Sequence, residues 1–121
     1  MGTPVILIIE DNRDNLDMVK FLVENAGYQV LEALNGRVGL EIARQSKPNL
    51  VLLDLSIPEL DGWKLAEELK SHPETSSIRI IAMTGHTLPG DRQRAFDAGC
   101  DGYISKPLDV PHFIEQIEKF L

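Results

Sequence analysis

The 121-residue chain is long enough to bury one hydrophobic core and too short for a second beside it. Its 43% apolar and 26% charged content is that of a soluble globular domain, and a net charge of −7 argues against autonomous binding to nucleic acid or to an anionic membrane, leaving a protein partner or a metal ion as the better fit. Cys100 is the only cysteine, which excludes an intrachain disulfide and reads as a small packing residue.

Val5–Ile9 opens the chain as a short apolar run that passes directly into Glu10 and Asp11, the pattern of a buried strand ending in acids. It is also the longest apolar run near the start. Neither a signal peptide nor a membrane span is visible, Ile6 stands where myristoylation after Gly2 needs Ser or Thr, and a cytoplasmic location without membrane insertion is expected. Leu16, Val19, Leu22, Val23 and Ala26 then share one helical face, with Gly27 placed as a left-handed C-terminal cap. A strand over residues 29–33 and a helix over 36–45 with few large apolar residues follow.

Residues 50–53 form the third apolar strand, with Asp54 at its C-terminal tip and a turn ending in Pro58 beyond it. Asp61 stands where it can cap a third helix whose buried stripe is Leu65, Ala66 and Leu69, and Trp63 near its start reads as packing. Strands over 78–83 and 102–105 flank a helix over 91–98. Phe113, Ile114, Ile117, Phe120 and Leu121 line the last helix. Strands alternating with helices predict an α/β sandwich on a parallel sheet with right-handed crossovers.

Parallel connectivity places Glu10, Asp11, Asp54, Thr84 and Lys106 on one sheet edge, where such sheets bind their ligands. Singly, each has an ordinary reading: a capping acid, a strand-end hydroxyl, a solvated loop lysine. Together they form a cluster whose like charges oppose folding unless a cation is held there. Oxygen-only donors favour a hard ion, Mg²⁺ before Ca²⁺. Beside such an ion a carboxylate can act as nucleophile toward a phosphoryl group; Asp54 is the candidate, with Lys106 and the Thr84 hydroxyl to steady the transferred oxygens.

Four blocks carry a family likeness: Ile9-Glu10-Asp11-Asn12, Asp54-Leu55-Ser56-Ile57-Pro58 followed by Asp61-Gly62, Met83-Thr84-Gly85, and Tyr103-Ile104-Ser105-Lys106-Pro107. Over essentially its whole length the chain resembles the receiver domain of two-component response regulators. The resemblance implies a flavodoxin-like (βα)5 three-layer sandwich with a five-stranded parallel sheet of order 2-1-3-4-5. It implies that Asp54 is the phosphoacceptor, served by a sensor histidine kinase or a histidine phosphotransfer protein. Asp11 would bind Mg²⁺ directly, Glu10 largely through water, and the Ser56 main-chain carbonyl would complete the ligands. By the same likeness Lys106 would pair with a phosphoryl oxygen, Thr84 would move toward it, and Tyr103 would turn inward. The surface of the fourth helix, fifth strand and fifth helix would then change for a partner. Ser56 and His86 fall at positions that modulate phosphoryl loss in the family, Gly85 is small where small residues are favoured, and the Lys106-Pro107 bond is expected cis.

Residues 1–121 are expected to form a single receiver domain without an output domain, either a free regulator or a piece of a hybrid histidine kinase. No enzymatic turnover is expected beyond self-catalysed phosphoryl transfer and slow self-dephosphorylation. Arg92, Arg94, Asp97, Glu115 and Lys119 compel no symmetric pairing, so a monomer or a weak phosphorylation-dependent dimer is expected. A metal-dependent phosphohydrolase would want an acid where Ser56 stands. A flavodoxin would want a phosphate-cradling loop where Glu10, Asp11 and Asn12 stand. A pseudo-receiver would not need all five edge residues.

Overall fold

The computed structural model describes residues 2–55, 62–85 and 89–121. In chain order the elements are β1 (Val5–Ile9), α1 (Arg13–Asn25), β2 (Gln29–Ala33), α2 (Gly36–Ser46), β3 (Leu50–Asp54), α3 (Gly62–Ser71), β4 (Arg79–Thr84), α4 (Asp91–Asp97), β5 (Gly102–Ser105) and α5 (Val110–Glu118). All four strand pairings are parallel, in the order β2-β1-β3-β4-β5. This is the expected flavodoxin-like arrangement.

Strand alternation divides the core in two. Ile6, Ile8, Leu50, Leu52, Ile81, Met83 and Ile104 point to one face and pack with Leu16, Val19, Val23, Phe113 and Ile117 of α1 and α5. Leu7, Ile9, Val51, Leu53, Ile80 and Ala82 point to the other and meet Ala43 of α2, Leu65, Ala66 and Leu69 of α3, and Ala95 of α4. With both faces covered, β3 is buried along its whole length, which is why it reads as an unbroken apolar run. Cys100 belongs to the second core, and burial pushes its thiol up to about 12, in keeping with packing.

Helix ends follow their capping chemistry. Gly27, at φ 100°, donates to Glu24 O while Tyr28 donates to Val23 O, a Schellman closure of α1. Gly99 and Cys100 close α4 in the same way on Phe96 and Ala95. Because α1 closes at this turn, Ala26 lies exposed outside the apolar face on which periodicity placed it. Leu121 is likewise 42% exposed, because α5 ends at Glu118. The fourth strand begins and ends one residue later than expected: the Ile78 amide is taken by Thr75 O in the preceding turn, and Thr84 pairs with Ser105. The Asp61 cap lies outside the described residues.

At the edge opposite the site, the Asp101 carboxylate accepts from the Ile80 amide and from Lys70 Nζ, each at 2.9 Å, and Lys70 also donates to Ile78 O at 2.7 Å. Asp101→Ala leaves a strand amide and a half-buried ammonium short of an acceptor, and about 2–3 kcal/mol of stability is expected to go. Urea unfolding measures it. Asp101→Asn, which keeps an acceptor, should lose clearly less; equal losses would mean that the acceptor is unimportant.

Candidate functional site

Three hydrogen bonds extend the strand pairing one step beyond the sheet at this edge. The Glu10 amide donates to Ala33 O at 3.0 Å, Leu55 to Met83 O at 3.0 Å, and Lys106 to Thr84 O at 2.8 Å. Alternation then sets direction. Glu10, Asp54 and Lys106 continue the parity of Ile8, Leu52 and Ile104, so all three belong to the α1/α5 side of the edge, whereas Thr84 continues that of Ala82.

Carboxylate oxygens of Glu10, Asp11 and Asp54 lie within 4.8 Å of one another. Asp11 is exposed, but Glu10 and Asp54 are only 1% and 5% exposed. Lys106 Nζ donates to Glu10 Oε1 at 2.7 Å and stands 3.5 Å from Asp54 Oδ2. Glu10 Oε2 accepts from the Asn12 amide at 3.2 Å, while the Asn12 side chain caps α1 through the Asn15 amide. The start of α1 therefore holds the acid in place.

Burial, reinforced by the neighbouring Asp54 and offset in part by Lys106, raises the Glu10 carboxyl to about 7. For Lys106, burial acts to lower the ammonium's pKa, but the Glu10 bond and the Asp54 charge outweigh it and the net direction is up. One ammonium among three carboxylates leaves the pocket electron-rich. Its donors are all oxygen, a set suited to a small hard dication and poorly suited to a soft metal.

Thr84 is buried at the end of β4, and Tyr103 is half-buried on β5 opposite Ala82. The Tyr103 hydroxyl is buried and has no hydrogen-bond partner among the described residues. Lys106-Pro107 is cis. Ser56 and His86 lie outside the described residues. An apolar cleft of about 430 Å³ opens beside Glu10 and Lys106, walled by Met18, Val19, Pro107 and Leu108.

Two features of the surroundings escaped the sequence reading. A Cβ at Gly62 would stand 2.8 Å from Leu55 Cα and 3.1 Å from the Asp54 carbonyl, so α3 starts directly against the backbone that carries the candidate nucleophile. Trp63 packs against the core as expected but also stacks under Arg94, whose Cζ is 4.3 Å from the ring centre. Gly62 closes the family motif that begins at Asp54, so its small size was the available signal; the Arg94 contact had none.

Fold and site together define a flavodoxin-like α/β domain with an acidic pocket at the carboxyl edge of its sheet. The family model for the response regulator receiver domain matches residues 6–118. The polar-differentiation response regulator DivK of Brucella anthropi is 39% identical over 116 residues, covering 96% of this chain and 94% of the relative. The chain belongs to the response regulator receiver domain family, a module of phosphorylation-based two-component signalling. A CheY-like receiver domain protein from Methanospirillum hungatei superposes with a TM-score of 0.90 at 29% identity, covering 98% of this chain and 93% of its own. The receiver domain of a sensor histidine kinase from Pseudomonas aeruginosa, with magnesium coordinated in its active-site cleft, gives a TM-score of 0.89 at 26% identity and covers 98% of both chains.

Proposed function

We propose that Asp54 accepts a phosphoryl group from a phosphohistidine of a sensor histidine kinase or histidine phosphotransfer protein, with Mg²⁺ as cofactor, and that the product is an altered binding surface. The observation that carries this reading is the convergence of Glu10, Asp11 and Asp54 within 4.8 Å, with the Lys106 ammonium 3.5 Å from Asp54 Oδ2. Asp11 and Asp54 would hold the metal, with Glu10 as an outer ligand and the Ser56 carbonyl completing the set. When bound, Mg²⁺ supplies positive charge to the phosphoryl oxygens and to the attacking carboxylate.

The residues of the chain do the rest. An Asp54 carboxylate oxygen forms the new O–P bond as the N–P bond of the donor breaks, and the electron pair returns to the donor imidazole. Lys106, fixed by Glu10, stands where it can pair with a phosphoryl oxygen, and burial of Asp54 strengthens that attraction by excluding water. The Thr84 hydroxyl would follow the phosphoryl group and Tyr103 would reorient with it. Together they would remodel the face built by α4, β5 and α5, which a protein partner reads. Ser56 and His86 would set the rate of loss. We read the chain as a regulator with no turnover of its own beyond this transfer and slow self-dephosphorylation. No helix among the described residues is long and apolar enough to cross a membrane.

Incubation with Mg²⁺ and acetyl phosphate, read by intact mass, tests the assignment. The wild type is expected to gain one phosphoryl group and Asp54→Asn none. No gain on the wild type, or an equal gain on the variant, would sink it. Sustained turnover of a general phosphatase substrate would favour a phosphohydrolase.

A further inference from the structure

The first turn of α3 is in backbone contact with β3: a Cβ at Gly62 would meet Leu55 Cα and both the Asp54 and Leu55 carbonyl oxygens. Side-chain rotation cannot absorb a shift at such a contact, so displacement of the Asp54–Leu55 backbone is passed to the helix. The next residue, Trp63, is half-buried against the α2/α3/α4 core and offers its ring face to the Arg94 guanidinium at 4.3 Å.

Arg94 belongs to α4, a short helix that buries little of its own surface. In α4 the only buried residue is Ala95, and its N-cap, Gly90, makes no side-chain cap. Arg92 stacks on Phe96 at 5.7 Å and Gln93 bonds Asp97 at 2.9 Å, contacts that stay within the helix. The planar stack of Arg94 on Trp63 ties α4 to a neighbouring helix.

We propose that the Arg94–Trp63 stack couples the Asp54 site to α4, so that a change at Asp54 which shifts the first turn of α3 alters the stack and with it the placement of α4. The inference rests on Asp54 being the phosphoacceptor. Trp63 and Arg94 are positioning residues in this scheme, since neither touches the reacting atoms. Lysine in place of Arg94 would keep the charge and lose the flat face that stacks. Lying between two places is not itself coupling, so the test has to perturb the stack and read both ends.

Trp63 is the only tryptophan, so its emission reports the stack directly. The wild type, treated with Mg²⁺ and acetyl phosphate, is expected to gain a phosphoryl group by intact mass and to change its Trp63 emission and iodide quenching. Arg94 is exposed, so Arg94→Met should fold; it is expected to accept phosphoryl to the same extent yet lose most of the emission change. Arg94→Lys should behave like Arg94→Met. Before phosphorylation, the α4 amides of Arg94→Met should exchange about 2- to 5-fold faster than wild type, the factor equivalent to an exposed cation–π contact, with β1 and β3 amides unchanged. A wild type that is phosphorylated by mass with unaltered emission overturns the coupling, as does an Arg94→Met protein with the full emission change. No mass gain on the wild type overturns the phosphoacceptor reading and the coupling with it, which separates the two failures.

Discussion

Gly62→Ala is expected to destabilise the protein by about 3 kcal/mol, at the upper end of ordinary overpacking, and to slow phosphoryl acceptance at Asp54. Helix propensity alone favours alanine over glycine by up to about 1 kcal/mol, so the expected sign runs against propensity. The reason is what the new methyl would strike. Leu55 Cα at 2.8 Å and the Asp54 and Leu55 carbonyls at 3.1 Å are main-chain atoms, and the Leu55 amide is pinned to Met83 O at 3.0 Å. Either α3 backs away from the sheet and loosens Leu65 and Leu69, or β3 bends and carries Asp54 off its line with Lys106. Gly39→Ala is the comparison, because the methyl there would meet only side-chain atoms of the buried Ile9, so the core must repack but no backbone need move. Its expected cost is about 1 kcal/mol. Urea unfolding of both variants, with the phosphorylation rate measured beside it, decides the matter. A Gly62→Ala protein no weaker than Gly39→Ala would show that the backbone contact is not what the glycine provides.

The parts of this fold that could be read from the chain are those written in local pattern. Leu50 to Leu53 form an apolar run because β3 is covered on both faces, and Asp54 stands out because it ends that run. Parity within a strand is also local, and it gathers Glu10, Asp54 and Lys106 on the α1/α5 side of the edge once parallel pairing is granted. Helix ends were read less well. Ala26 and Leu121 continue an apolar period past the point where the chain stops being helical, and periodicity carries no information about that point. Contacts between distant residues away from that edge left no trace. Lys70 and Asp101 look like two surface charges until α3 and β5 bring them to 2.9 Å, and Arg94 looks like a solvated helix arginine until it is found over Trp63. Gly62 is intermediate: its identity was visible in the motif, but its cause, a helix start pressed on strand backbone, exists only in three dimensions.

Mg²⁺ binding is expected to be about tenfold weaker at pH 6 than at pH 8, because a carboxylate must give up its proton to serve a metal and Glu10 holds its proton to about 7. The cause is burial first and the hydrogen bond with Asp54 second, with the Asp54 charge adding to them, so Asp54→Asn should move the dependence to lower pH, and Glu10→Gln should flatten it while weakening binding at pH 8. The same proton governs the stability of the metal-free protein. Glu10 is raised from 4.5 in the unfolded chain to about 7 in the fold, so between those values the native state keeps a proton that the unfolded state has lost. Stability from this group is therefore full below 4.5 and falls as pH rises through the window, by about 3 kcal/mol in all. Lys106, raised above 10.5, loses its contribution only at higher pH still and does not enter. His112 does enter: its bond to Asp109 raises it above 6.5, and it carries the same sign near neutrality. Being fully exposed, it can be removed as His112→Gln without disturbing the core. In that background, thermal melts without metal should lose stability from pH 5 to pH 8, and excess Mg²⁺ should flatten or reverse the slope as the metal takes over from the proton. An affinity that stays level between pH 6 and pH 8 would mean that the Glu10 carboxyl does not hold its proton against the metal.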